Sequence, residues 1–445
     1  MAEPGAGNER IEGKPRPMTA SAAEDPVLAA QGRPAMVVLL TVVFVNLVGF
    51  GVLLPILPFY GRSFHAPVWL VTWVFAAFSI GNFFAEPLWG RLSDRIGRRP
   101  ILLGTIFASG VGFIALAFAP NIWMVLLIRL LSGLTTGNLS TIQGYIADVT
   151  PPQLRSGRIG WLGAAFALGF VAGPALGGLL ARPELGQAGY RLPLFIAGGL
   201  SFASSLGAVL FVRETCAHAQ IGAPPGAAFK TLKHALHHPV LGRALVITLF
   251  YTAAFAAAES TFGLWAQRRY GWGPSKLSIC FASVAVTAAI AQGFLTGRIT
   301  RRWGEALTLA GGLAIISATL ALQPLGQGMI RTIVLLALTV FGQALALPNI
   351  SALISRTAPP DRQGAMLGLN MSIGALARAL GPIAGGALFS IVGADTPLYA
   401  AALVVAPTIL LAWQAEGAAR RRYGLEPAAM LRSSHATDDR PRAAE

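Results

Sequence analysis

Two carboxylates stand inside otherwise apolar stretches of this sequence, Glu86 and Glu259, and two guanidinium groups do the same, Arg129 and Arg378. Every other Asp or Glu falls in a polar connection, a tail or the end of an apolar run. An acid held in a low-dielectric setting has a proton occupancy that responds to whether water reaches it. Reversible proton binding is therefore the chemistry these residues offer, with Glu259 the deeper and more isolated of the two. Arg129 is a rare intramembrane cation of the kind that usually faces a bundle interior; a guanidinium reaching up to the head groups is the plainer alternative. No role for Arg378 follows from its surroundings.

Bond-making chemistry finds no support. There is no nucleophile–base pair, phosphate-cradling loop or metal-ligand spacing, so an enzyme is not expected and no cofactor or metal is implied. Cys216 and Cys280 are too few for a disulfide framework or a zinc site. His234, His237 and His238 lack a partner carboxylate and read as exposed side chains. Polar residues within apolar runs (Asn46, Gln143, Gln292, Gln343 and Asn370) are candidates to line a solute cavity or simply to tie helices together.

These groups must be positioned by membrane-spanning helices. The 445 residues are 54% apolar and only 12% charged, with 51 glycines and a mean hydropathy of +0.61, whereas soluble domains carry about 25% charge. Twelve segments reach the ~20 apolar residues of a bilayer span: 36–58, 69–89, 101–119, 122–146, 158–181, 192–212, 244–266, 277–297, 306–324, 331–354, 365–391 and 396–414. No cleavable signal peptide is expected before the first. Twenty-five of the 34 Lys and Arg residues fall on the side of both termini, which places both in the cytoplasm. The net charge of +15 thus reflects topology rather than nucleic-acid binding. The expected layout is a disordered tail over 1–34, a six-helix bundle over 35–212, a central loop over 213–242, a second bundle over 243–415 and a tail over 416–445.

The halves repeat. Gly173-Pro174 with Gly177-Gly178 recurs as Gly381-Pro382 with Gly385-Gly386, the Gly90–Gly97 loop recurs as Gly297–Gly304, and Pro151-Pro152 recurs as Pro359-Pro360. All three fall at an offset of 207 to 208 residues. Six spans separate the copies, so the duplication is parallel, an arrangement of transporters whose site lies between the halves.

The connection between spans 2 and 3 carries Gly90, Asp94, Arg95, Gly97, Arg98 and Arg99. Its glycines permit a tight turn and close helix approach, and a loop needing only charge would not require them. Asp148 ends span 4, where the helix dipole makes an unpaired anion unfavourable. One of Arg95, Arg98 or Arg99 is its expected partner in a latch, and Glu86 is expected to join that network rather than titrate. In span 5, Gly169, Gly173 and Gly177 repeat every four residues and form one smooth face, while Pro174 interrupts the backbone ladder.

With these motifs assembled, the chain resembles the major facilitator superfamily, and within it the twelve-span drug–proton antiporters, including bacterial tetracycline exporters. Gly49-Phe-Gly51 through Pro58 is similar to their first-span motif, and Arg129 with Gly133 and Gly137 to their fourth-span motif, which implies for Arg129 a part in proton relay or in orienting the solute. Tyr145 to Pro152, with Asp148, is similar to the close of their fourth span, and Gly169 to Gly178 to the fifth-span motif that marks exporters. The resemblance implies an all-α fold of twelve transmembrane helices in two pseudo-symmetric six-helix bundles. It implies export of a small amphipathic, drug-like solute in exchange for protons across a bacterial inner membrane. A uniporter or proton symporter of a sugar, organic acid or other metabolite is the alternative on the same fold. The lipid bilayer, a small-molecule substrate and protons are the expected partners, and a monomer the expected state. The chain departs from tetracycline exporters in having Asn46 in place of a first-span acid, no span 8 histidine and no span 9 acid. Proton coupling must therefore use other residues.

Overall fold

The computed structural model describes residues 26–136, 138–150, 152–215, 238–359 and 363–423. Twelve helices there are long and apolar enough to cross a membrane, and among the described residues no strand occurs. The first six are α1 (Pro26–Ser63), α2 (Val68–Ile96), α3 (Arg98–Ala117), α4 (Ile122–Thr136, resumed as Leu139–Asp148), α5 (Pro152–Leu180) and α6 (Pro183–Phe211). The second six are α7 (Pro239–Tyr270), α8 (Pro274–Trp303), α9 (Glu305–Leu325), α10 (Met329–Thr357), α11 (Gln363–Ile391) and α12 (Thr396–Tyr423). Helices are forced here because a backbone in hydrocarbon must satisfy its own hydrogen bonds. Large apolar side chains such as Phe84, Trp123, Leu179, Ile330 and Leu403 point outward, as a lipid-facing surface requires. Helix α1 begins inside the stretch expected to be a disordered tail, and α12 likewise runs into the expected C-terminal tail.

Within the first bundle α1 packs on α5 and α6, α2 on α4, and α3 on α6; within the second α7 packs on α11 and α12, and α9 on α10 and α12. Small residues set these distances. A Cβ on Gly173 would lie 2.7 Å from the Gly51 Cα and from the Val48 carbonyl oxygen, both backbone atoms of α1. Gly169 meets Leu47 and Phe44, and Gly177 meets Val52, so the whole four-residue stripe of α5 faces α1. The repeat does the same in the second bundle, where Gly381 and Gly385 of α11 press on Ala253, Ala256 and Ala257 of α7.

The bundles meet through α2 against α11 and α5 against α8. Gly178 abuts the Ser278 side chain and Gly386 abuts the Thr72 side chain, two related contacts across the pseudo-twofold. Ser275 Oγ donates to the Gly178 carbonyl at 3.1 Å, Arg62 Nη1 donates to Gln267 Oε1 at 3.4 Å, and Gly263 lies against Pro58. All of these sit at the end of the molecule opposite the Gly90–Pro100 connection. That far end is closed.

Candidate functional site

Between the bundles the ionisable residues of α2, α7 and α11 converge. Arg378 lies midway along α11, yet its side chain is exposed, so a cleft between the bundles reaches the middle of the helix. Its charge acts on both Glu86 of α2 and Glu259 of α7. The guanidinium folds back toward Gly374, and Thr248 lies by the same glycine. Glu86 is therefore linked electrostatically to the opposite bundle, where the sequence had suggested the loop arginines.

Glu259 is half-buried, and its carboxylate charge reaches Tyr251, two turns earlier on α7. Tyr251 is 1% exposed and its hydroxyl lies beside Gln343 of α10 without a bond of good geometry. Neither Tyr251 nor Arg378 had a role legible in the sequence. Both are buried or mid-helix polar groups, and only the folded arrangement brings them within electrostatic range of Glu259.

The other candidate cavity residues divide. Asn370 Oδ1 accepts from Thr248 Oγ1 at 2.6 Å, which ties α11 to α7. Asn46 donates to Asn138 Oδ1 at 3.5 Å, and Asn138 donates to Thr105 Oγ1 at 3.0 Å, joining α1, α4 and α3. Gln143 and Gln292 are exposed. Gln292 stands in a π-turn, Ala291–Leu295, where Thr296 Oγ1 donates to the carbonyls of Ala291 and Ala344. Such turns interrupt the helical ladder and occur often at functional sites.

Arg129 is 3% exposed, and its guanidinium carbon lies 4.3 Å from the Phe78 ring centroid. It faces the interior of the first bundle and does not reach up to a polar boundary. It lines a small cavity with Asn46, Phe50 and Phe113.

At the loop end Gly97 has φ 113°, a conformation that favours glycine, and joins α2 directly to α3. Arg98 Nη1 lies 3.5 Å from Asp94, and Gly144 lets the Arg98 guanidinium rest on the backbone of α4, one turn before Asp148. The Asp148 side chain and Gly137 lie outside the described residues, as do Cys216, His234 and His237. Arg95 is exposed, and Gly90 half-buried. A residue without a sequence signal completes this corner: Glu214, past the end of α6, accepts from the backbone N–H of Arg98 at 2.8 Å and of Arg99 at 3.1 Å. A carboxylate there satisfies orphan amides and the positive end of the α3 dipole.

The model of the family described as Major Facilitator Superfamily matches residues 39–331 and 319–427. The class B tetracycline resistance protein of Escherichia coli is 28% identical over 351 residues, covering 77% of this chain and 86% of that protein. Multidrug resistance protein 1 of Bacillus subtilis is 29% identical over 385 residues, covering 85% and 96%. Among solved structures, a bacterial homologue of the human lysosomal transporter Spinster, in an inward-facing and unoccupied conformation, superposes with a TM-score of 0.73 at 15% identity, over 88% of this chain and 97% of that one. The human organic anion transporter MFSD10 superposes with a TM-score of 0.65 at 22% identity, over 85% and 99%.

Proposed function

The chain belongs to the Major Facilitator Superfamily, and from that premise we propose that it exports a small amphipathic, drug-like solute in exchange for protons by alternating access. It is an integral, multi-pass membrane transporter. In this reading the membrane is the bacterial cytoplasmic membrane, both termini and the Gly90–Pro100 connection are cytoplasmic, and the closed far end makes the present conformation inward-facing.

The observation that carries the proposal is Glu259, an acid near the middle of a spanning helix, half-buried, beside the inter-bundle cleft and within the field of Arg378. An acid in this position loads a proton when the cleft faces the periplasm and releases it when the cleft faces the higher pH of the cytoplasm. Arg378 supplies a counter-charge when the acid is ionised, and a cationic solute competes with that guanidinium for the carboxylate. Resistance proteins for tetracycline and for multiple drugs among the relatives support a drug-like solute.

The experiment is an efflux panel in proteoliposomes with an imposed pH gradient. Movement of dyes and antibiotics driven by the gradient supports the proposal. Gradient-independent exchange of sugars, organic acids or other metabolites would replace it with a uniporter on the same fold.

A further inference from the structure

Arg129 is, among the described residues, a buried cation without a neutralising partner. Among the described residues it forms no ion pair, and its Nε has no hydrogen-bond partner. The Phe78 ring covers one face of the guanidinium. Cation–π attraction of this kind is much weaker than pairing with an anion, so the charge stays largely uncompensated in a low-dielectric setting.

The cavity that Arg129 lines has a volume of about 20 Å³. That is room for one group the size of a water molecule. Its polar wall is rich in donors and holds no carboxylate. Asn46 directs one amide N–H toward Asn138, which leaves the other for the cavity. Ser109 and Thr136 give their protons to helix carbonyls at 2.9 and 2.8 Å, whereas Ser132, one turn from Arg129, has no such bond among the described residues. Phe50 and Phe113 close the remainder. A site made of one guanidinium, one free amide N–H and one free hydroxyl, walled by rings, rejects cations and favours a single negative charge.

We propose that this cavity binds one water-sized anionic group on Arg129, Asn46 and Ser132: a halide ion from solution, or one oxygen of a carboxylate belonging to the transported solute. Binding of a free anion stands independently of the proton-exchange reading. The carboxylate source rests on it, and the two sources are separated by the test.

The test is thermal unfolding of the full-length protein, purified in detergent, in sodium chloride, sodium bromide or sodium acetate against sodium sulfate at matched ionic strength. Sulfate stabilises by exclusion from the protein surface, to the same degree in wild type and variants, and sets the baseline. The wild-type protein is expected to show a saturable rise in Tm with a monovalent anion. Arg129→Gln should abolish it. Asn46→Asp, which places a counter-charge inside the cavity at almost no change in size, should weaken the anion response at least tenfold while itself folding stably, so the test survives if Arg129→Gln fails to fold. Equal responses to halide and acetate assign the free anion; a response to carboxylates alone, with acetate or benzoate competing against solute efflux, assigns the solute. An absent wild-type response, or an equal response in wild type and Asn46→Asp, overturns the proposal.

Discussion

Glu305 and Arg356 close an ion pair of 2.9 Å between α9 and α10. The internal offset of 207 to 208 residues maps Glu305 onto Arg98 and Arg356 onto Asp148, so at these two positions the second bundle carries the same two kinds of charge in exchanged order. Gly304 repeats Gly97 in the same way, with φ 83° in place of 113°. In the first bundle the Arg98 guanidinium rests on Gly144, so there too the start of the third helix meets the last turns of the fourth. Neutralising one partner leaves the other charge stranded at a helix end.

From this follows the first prediction. Arg98→Ala, Asp94→Asn or Asp148→Asn should lower the transport rate at least about fivefold, the low end of a 1–3 kcal/mol conformational coupling, while the protein remains inserted. Glu305→Gln should act in the same direction. Rates in vesicles, normalised to protein by immunoblot, provide the measurement; four variants at wild-type rates would reduce the loop to a topology signal.

Gly173→Ala tests the packing of α1 on α5. The added Cβ meets backbone atoms of Val48 and Gly51, which cannot rotate away, so the helices must separate. Overpacking of this sort destabilises by about 1–3 kcal/mol. A lower Tm in detergent is expected. Ala at Gly163, whose Cβ meets nothing within 4 Å, should not lower Tm and should raise it slightly, because alanine is the better helix former, and it serves as the control.

Glu214→Ala removes the acceptor from the first two amides of α3. Loss of a helix cap costs about 1 kcal/mol, and here it also frees the chain that enters the central connection. The expected outcome is a modest fall in Tm with faster amide exchange confined to the first turn of α3. Unchanged exchange there would mean that water replaces the carboxylate without loss.

How far the sequence discloses these features depends on how local each signal is. The stripe of Gly169, Gly173 and Gly177 was legible because helical period four is a property of one segment, and it does face a neighbouring helix. The charged connection at 90–100 and the twelve apolar runs are likewise local, and the helices lie where they were expected. Glu214 was not legible, because its partners Arg98 and Arg99 are over a hundred residues away. Nor was Arg378: nothing in its own segment tells that its charge acts on acids of two different helices. Gly178 and Gly386 read as parts of the repeated Gly-Pro motif, yet they meet Ser278 and Thr72 in the opposite bundle. The π-turn at Gln292 has no proline to announce it.

The central claim is that Glu259 carries the coupling proton, and uphill transport by Glu259→Gln measures it directly. Glutamine keeps the size and most of the hydrogen-bonding capacity but cannot take or release a proton. In proteoliposomes the variant should lose accumulation of solute against its gradient under an imposed pH difference while retaining downhill exchange of the same solute. A Glu259→Gln protein that still concentrates solute when the pH gradient is applied would contradict the account and remove Glu259 as the coupling site.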